Sequence, residues 1–599
     1  MNRRALVSLT VLLGSVVPSA ARAAEYYVDI GATGASDANA GTEAMPWQRC
    51  PGMEGWSGTA TLHPGDVVHF RNDRTWSIAS GLAVLEATGG VTFDGSSWGP
   101  GTRAVFRTTG DIDLSVINFQ RDDPTMPTVV RGFEVDAGGQ VNSGIAINYP
   151  RVIGDLTGAP KRIEDCVVHG VHSSSAAGEY EYGIVVSSGY SGPHVVSHVE
   201  IVGCTTYDIS RGGVNVYVAN DVPASHIDDV LVRGCDMYQT GTDPDYAGSA
   251  FALKNNVRNV VVEYNYIHDS VNGAGIGVGT VEMDAGFSGP ENAVIRHNIV
   301  TGHPFVGINF YMFGTLSADV YGNVIAGNRY QGIRLMAALH ATTLRIYNNT
   351  LVGQHDDTWS HEILIGANDG DITALEVVNN LIVALPGTVP LLDEDGDVTR
   401  HSNNLYYREG GGELARVAAA GYSASDIAGW EPTALTGAPG LTSVTDVPHG
   451  FAGTYGVDLQ PNTTGLALLP TSGAIDVGMD LGAAFATSVN TVMRPAGPGW
   501  DIGAYEYSMG APPLPDAGPF TDGDAGTVVP RTDAGAGGAG DAGVASATGD
   551  GGCGCRAAGG GRGRGTAAGA GASLLVAIVT RRKRRRRGRQ GRRVISRGK

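Results

Sequence analysis

The sequence predicts an all-β solenoid, a stack of coils with three short strands in each. Three observations carry this. A phrase close to V-x-V-x-x-N-x-I, followed by G-I-x-V, recurs about nine times between Val129 and Tyr407. Its apolar residues alternate with period two and are largely β-branched, whereas helical repeats of this length would space them i, i+3, i+4. The chain also holds 89 glycines among 599 residues, as a fold with many tight turns requires.

One full unit runs from Gly248 to Gly279. A short strand with Phe251 and Leu253 meets a polar corner, Asn255-Asn256. A second strand covers Val257–Glu263. A lone Asn265 follows, then a third strand, Tyr266–His268, and a loop. Positions equivalent to Asn265 are Phe133, Cys166, Cys204, Cys235, Asn298, Asn323, Asn349, Asn380 and Asn404, spaced 24 to 38 residues apart. A fixed phrase at variable spacing means a constant core with loops of variable length. Each strand has too few inward residues to bury a face alone, so coil must stack on coil.

This pattern resembles the right-handed parallel β-helix of pectate-lyase-like proteins. The resemblance implies an asparagine ladder inside one turn, bonded to the backbone of neighbouring coils. A buried amide needs such partners. Cys166, Cys204 and Cys235 stand where the ladder would continue and read as a buried, unpaired thiol stack. No C-x-x-C or histidine spacing points to a metal there.

Taken in order, residues 1–23 have the three parts of a secretory signal: Arg3 and Arg4, an apolar run, and Ala21-Arg22-Ala23 as a cleavage site. Residues 24–80 read as an N-terminal cap and first coil, with a Pro64-Gly65-Asp66 turn into Val67–Phe70, and Trp47, Trp56 and Trp76 covering the open core. The solenoid proper covers 81–412, its first coils (about 82–118) irregular. Residues 413–507 are a closing segment; Asp476 and Asp501 read as turn formers. Residues 508–550, rich in Pro, Gly, Ala and Asp, are a flexible linker. Residues 551–599 combine Cys553-Gly-Cys555, a short apolar run and an arginine cluster. They resemble the surface-sorting tail of myxobacterial proteins. The protein is therefore expected to be exported, as a monomer at the cell surface or outside the cell, touching membrane only through that tail.

Charge has to be read by segment. Residues 1–23 hold 3 of the 41 Lys+Arg and residues 551–599 hold 15, with no acids in either, so residues 24–550 set 23 bases against all 60 acids. Such an acidic body does not attract polyanions by its long-range field, and with the export signal this excludes nucleic acid as a partner.

The strand that opens each coil aligns as GIAIN (144–148), GIVVS (183–187), GVNVY (213–217), AFALK (250–254), GIGVG (275–279), GINFY (307–311), GIRLM (332–336) and EILIG (362–366). The second and fourth residues point inward, the third and fifth outward. One outer face thus gathers Asn215, Tyr217, Lys254, Asn309, Tyr311 and Arg334, with glycines at 277 and 279 predicted to leave a hollow beside the lysine. Rings and amides of this kind suit sugar rings and hydroxyls. Lys254 is the only lysine between Lys161 and Lys583.

"AFALKNN", preceded by Asp236, Asp243 and Asp245, resembles polysaccharide lyases of this fold, in which a lysine on this strand is the base and calcium binds nearby. The resemblance implies β-elimination on a uronate polysaccharide. Lys254 would be the base, with Arg334 or Ca²⁺ on the substrate carboxylate. Asn215, Tyr217, Asn309 and Tyr311 would bind sugar, and Asp236, Asp243 and Asp245 would ligate the metal. Two other readings stay open. One is a surface glycan-binding or adhesive protein without catalysis. The other is a hydrolase, whose two carboxylates would have to come from loop residues such as Glu179, Glu181, Glu282 and Asp284, since the outward columns hold none.

Overall fold

The computed structural model describes residues 23–509. Short segments are left out at 111, 139–140, 149–153, 173–180, 190–191, 220–221, 245–247, 280–285, 312–314, 337–341, 355–359 and 367–371. The signal, linker and tail expectations, and Glu179, Asp245, Glu282 and Asp284, lie outside the described residues.

Three sheets of 13 strands each run the length of the molecule. Sheet I begins with Glu25–Val28, sheet II with Thr75–Ile78 and sheet III with Gly81–Ala87. The chain visits I, II and III in turn, so each strand pairs with those one coil before and after it. The ladders are parallel apart from Glu413–Val417 with Ala420–Ser423, which closes the far end of sheet III. The fold is a parallel β-helix. The coils over 81–119, expected to be irregular, contribute strands to all three sheets; register shifts occur between Gly81 and Ala83, between Asp94 and Trp98 where that strand pairs with His69 and Arg71, and between Val141 and Ser143 where they pair with Ile112 and Ser115.

Register aligns the core. Ile145, Ile184, Val214, Phe251, Ile276, Ile308, Ile333, Ile363 and Leu391 form one inward column in sheet III, all fully buried. Each residue rests on its neighbour about 4.8 Å away, which closes the core that a single coil cannot.

The asparagine ladder forms as expected. Asn265 Nδ2 donates to Asn298 Oδ1 at 2.9 Å, and the same bond repeats through Asn323, Asn349, Asn380 and Asn404. Each acceptor also takes the backbone N–H of the preceding asparagine. The ladder ends on Glu431, which accepts from Asn404 and from Tyr406 Oη. At the other end the thiols make the ladder's backbone bonds. Cys204 Sγ reaches Ile163 O and Val202 O, as Asn323 Nδ2 reaches Ile295 O and Tyr321 O. Cys50, Cys166, Cys204 and Cys235 are free and buried, and burial pushes the thiols of Cys166 and Cys204 well above the ordinary range.

At the N-terminal end Trp47 stacks on Tyr26 and meets Trp56 edge-on, while Trp76 packs against Phe70 and Phe106. The closing segment does more than end the core. It turns back along the outer face of sheet II. Leu466, Leu468, Ala474, Val489, Ile502 and Ala504 cover outward Ile299, Val324, Val352, Leu381 and Leu405. Asp476 and Asp501 bond backbone turns within it. Arg494 clasps the segment: it pairs with Glu506 at 2.9 Å and donates to the carbonyls of Asp501, Gly503 and Ala504.

Candidate functional site

The outer face of sheet III carries the residues singled out by the alignment. Tyr217, Lys254, Gly279, Tyr311 and Met336 follow one another in register, one per coil. Asn215, Ala252, Gly277, Asn309 and Arg334 form the parallel column two residues earlier. Tyr217 is therefore one rung from Lys254, about 4.8 Å away by strand spacing. Tyr311 is two rungs away on the other side.

Two features of this face differ from the sequence reading. First, the part of the face around Lys254 is buried, while Tyr311, Arg334 and Met336 are half-buried. Tyr217 and Lys254 are each 5 % exposed, Asn215 and Asn309 nearly as little, so Lys254 is not a solvated strand-end lysine. Outward direction follows from alternation, but exposure depends on what packs above the sheet. Second, the glycines do not leave a hollow. A Cβ at Gly279 would stand 2.5 Å from Tyr311 Cδ2, and one at Gly277 would be 3.5 Å from Tyr311 Cε1. The Tyr311 ring lies across both glycines, toward Lys254. The lysine thus sits between a tyrosine one rung away and a second tyrosine ring leaning over the rung on its other side.

Arg334 donates to Asn309 Oδ1 at 3.0 Å, and its guanidinium lies 4.5 Å from the centre of the Phe305 ring. It stands three rungs from Lys254, about 14 Å along the axis. It therefore cannot be assumed to meet the same sugar as the lysine.

Of the three expected metal ligands, Asp245 lies outside the described residues, and Asp236 and Asp243 occupy different parts of the coil. Asp236 is on sheet II, where it accepts from His268 Nε2 at 3.0 Å. Burial works against a charged His268, but bonds from Asp236 and Asp269 outweigh it and hold the imidazole pKa above its ordinary value. His268 in turn lies in a stack of rings, His169, Tyr207, Tyr238, His268 and Tyr266, at successive centroid distances of 4.9, 5.2, 5.1 and 3.8 Å. Asp243 lies in the loop before the lysine strand, its N–H bonded to Ser210 O. Among the described residues no three His, Cys, Asp or Glu side chains are placed to hold a metal ion.

Of the loop carboxylates considered for a hydrolase, only Glu181 is described, and it is buried. Glu362 opens the last aligned strand and points inward. It accepts from Gln354 N and Nε2, and burial pushes its carboxyl up to about 8. It ends a second internal ladder in which Asn328 donates to Gln354.

Ser115, Gln120 and Ser143 on this face lie outside the aligned residues, while Asn148, Ser187 and Asn215 lie within them. Ser115 Oγ, Gln120 Nε2, Ser143 Oγ, Asn148 Oδ1, Ser187 Oγ and Asn215 Oδ1 are buried and have no hydrogen-bond partner among the described residues. All belong to sheet III strands or their ends, on the N-terminal side of Lys254. Gln120 and Ser115 were missed because the strand Ile112–Phe119 lacks the G-I-x-V phrase. Ser143 precedes the aligned residues and enters through a register shift. A buried polar atom without a partner costs about 1–3 kcal/mol, so such atoms concentrate where something else completes them.

No family model matches the chain, and no curated protein matches it. Solved structures do. The chain is similar to pectate lyase Pel9A at 14 % identity and a TM-score of 0.44, over 81 % of this chain and 96 % of that one. It is similar to XylC, solved in complex with xylose, at 10 % identity and 0.44, over 80 % and 98 %. It is also similar to the Dettilon tailspike protein at 13 % identity and 0.36, over 63 % and 64 %.

Proposed function

We propose that the outer face of sheet III binds a polysaccharide along the coil axis, and that Lys254 is the base of a β-elimination on a uronate in it. The observation that carries this is local. Lys254 sits between Tyr217 and Tyr311, on a face where buried atoms of Ser115, Ser187 and Asn215 have no partner among the described residues. A sugar chain offers hydroxyls for those atoms and ring faces for the tyrosines.

In the reaction, Lys254 as a neutral amine takes the proton α to the uronate carboxylate. The freed electron pair forms the C=C bond, and the β C–O bond breaks with its electrons passing to the leaving oxygen. Tyr217 and Tyr311 position the sugar; Asn215 and Asn309 bond its hydroxyls. Arg334, three rungs on, meets the carboxylate of a different sugar and so sets register rather than activating the reacting one. Whether a divalent cation assists is decided by chelation. The export and tail-anchoring expected from the termini place this activity outside the cell or on its surface; deleting residues 553–599 should release the body to the medium.

The decisive assay follows absorbance near 235 nm, about where an unsaturated uronate absorbs if elimination has taken place, on a panel of uronate polysaccharides. Product from wild type and none from Lys254→Ala supports the lyase. If wild type binds a glycan without forming product, and Lys254→Ala binds equally well, the non-catalytic binding reading replaces it.

A further inference from the structure

A hydroxyl, an imidazole and a carboxylate meet at the head of the strand that carries Asn215 and Tyr217. Ser210 Oγ lies 2.9 Å from His172 Nδ1, and His172 Nε2 lies 3.1 Å from Asp208 Oδ1. The fold produces this contact. Val171 pairs with Ile209, which sets His172 beside Ser210 on the next coil. Asp208 and Ser210 are two apart at the end of one strand, and both reach the His172 ring. Asp208 itself takes the left-handed backbone, φ 55°, which aspartate tolerates.

A neighbouring group shows what a purely structural version looks like. His303 Nδ1 also bonds a serine, Ser270, at 2.9 Å. But His303 is sealed in the core and its other nitrogen bonds Ile267 O. His172, by contrast, has a side chain 34 % exposed and a carboxylate on its second nitrogen. Nucleophile to base and base to orienting acid are both at hydrogen-bond distance, the arrangement nucleophilic acyl transfer needs.

We propose that Ser210, His172 and Asp208 form an ester-cleaving site, distinct from Lys254, that removes acyl groups from sugars lying on sheet III. Ser210 Oγ attacks the ester carbonyl while His172 Nδ1 takes its proton. The bond from the acyl carbon to the sugar oxygen breaks, and His172 returns the proton to that oxygen. Water then attacks the acyl-serine, again through His172, releasing the carboxylic acid and restoring Ser210. Asp208 acts on the imidazole, holding the tautomer and orientation that leave Nδ1 free to accept.

The test does not depend on elimination. The exported body is treated with a fluorophosphonate and the adduct located by peptide mass spectrometry; p-nitrophenyl acetate turnover is measured alongside. The expected result is an adduct on Ser210. Ser210→Ala should abolish labelling and cut turnover at least 100-fold, His172→Gln should cut both at least 10-fold, and Asp208→Asn should lower kcat with KM little changed. Circular dichroism checks that each variant is folded. An adduct at another residue, or turnover equal in folded Ser210→Ala and wild type, or no labelling and no turnover in wild type, overturns the proposal.

Discussion

The ring of Tyr311 occupies the space that a side chain at Gly279 would need. The two residues are in register on adjacent strands, and a Cβ at 279 would stand 2.5 Å from Tyr311 Cδ2. That contact holds the ring over the rung beside Lys254. Gly279→Val should therefore displace Tyr311 while leaving the inward column intact. A side chain at 279 would also meet the backbone carbonyl of Tyr311, so glycan affinity, measured by calorimetry, should fall at least tenfold and the melting temperature should fall with it. Unchanged affinity would mean that the ring does not shape the site.

Lys254→Arg separates charge from basicity. An arginine keeps the positive charge but does not deprotonate near neutral pH. Product formation should vanish as in Lys254→Ala. Because Lys254 is buried rather than solvated, both variants are also expected to lose some stability, which thermal melts would record. Activity retained in Lys254→Arg would remove the lysine from the base role.

Glu362 makes stability depend on pH. Its folded-state carboxyl is raised to about 8 by burial, which the bonds from Gln354 only partly offset. An ordinary glutamate titrates near 4.5. The folded state therefore holds the proton more tightly than the unfolded chain. Its contribution is full below about pH 4.5 and is lost as pH rises toward 8. Glu362→Gln, which cannot ionise, should flatten the fall in melting temperature over that window. Parallel curves for wild type and variant would contradict this assignment.

Arg494 and Glu506 are both fully buried, with the guanidinium shared between that carboxylate and three carbonyls. Arg494→Met leaves Glu506 unpaired in the interior, a loss of about 3–5 kcal/mol. The segment it clasps covers sheet II, so amide exchange should accelerate first in residues 474–506 and in the outward strands beneath. Exchange that rises uniformly, or not at all, would show that the clasp is not what holds the segment.

The repeat, the three strands per coil, the inward columns and the asparagine ladder were all legible in the sequence. Each depends on local alternation and on a phrase that returns in every coil, so reading one coil reads the neighbours that pack against it. The same alternation gave the outward columns, and with them Asn215, Tyr217, Lys254, Asn309, Tyr311 and Arg334. What alternation cannot give is what lies above a face or across a turn. Lys254 is covered, Tyr311 fills the expected hollow, and Arg334 stands three rungs off, because register and side-chain direction are set between coils. Asp236 faces outward on a different sheet from Lys254, although the two are only 18 residues apart in the sequence. Ser210 and His172 touch although 38 residues separate them. In a solenoid the local phrase fixes the coil; stacking decides which side chains share a site.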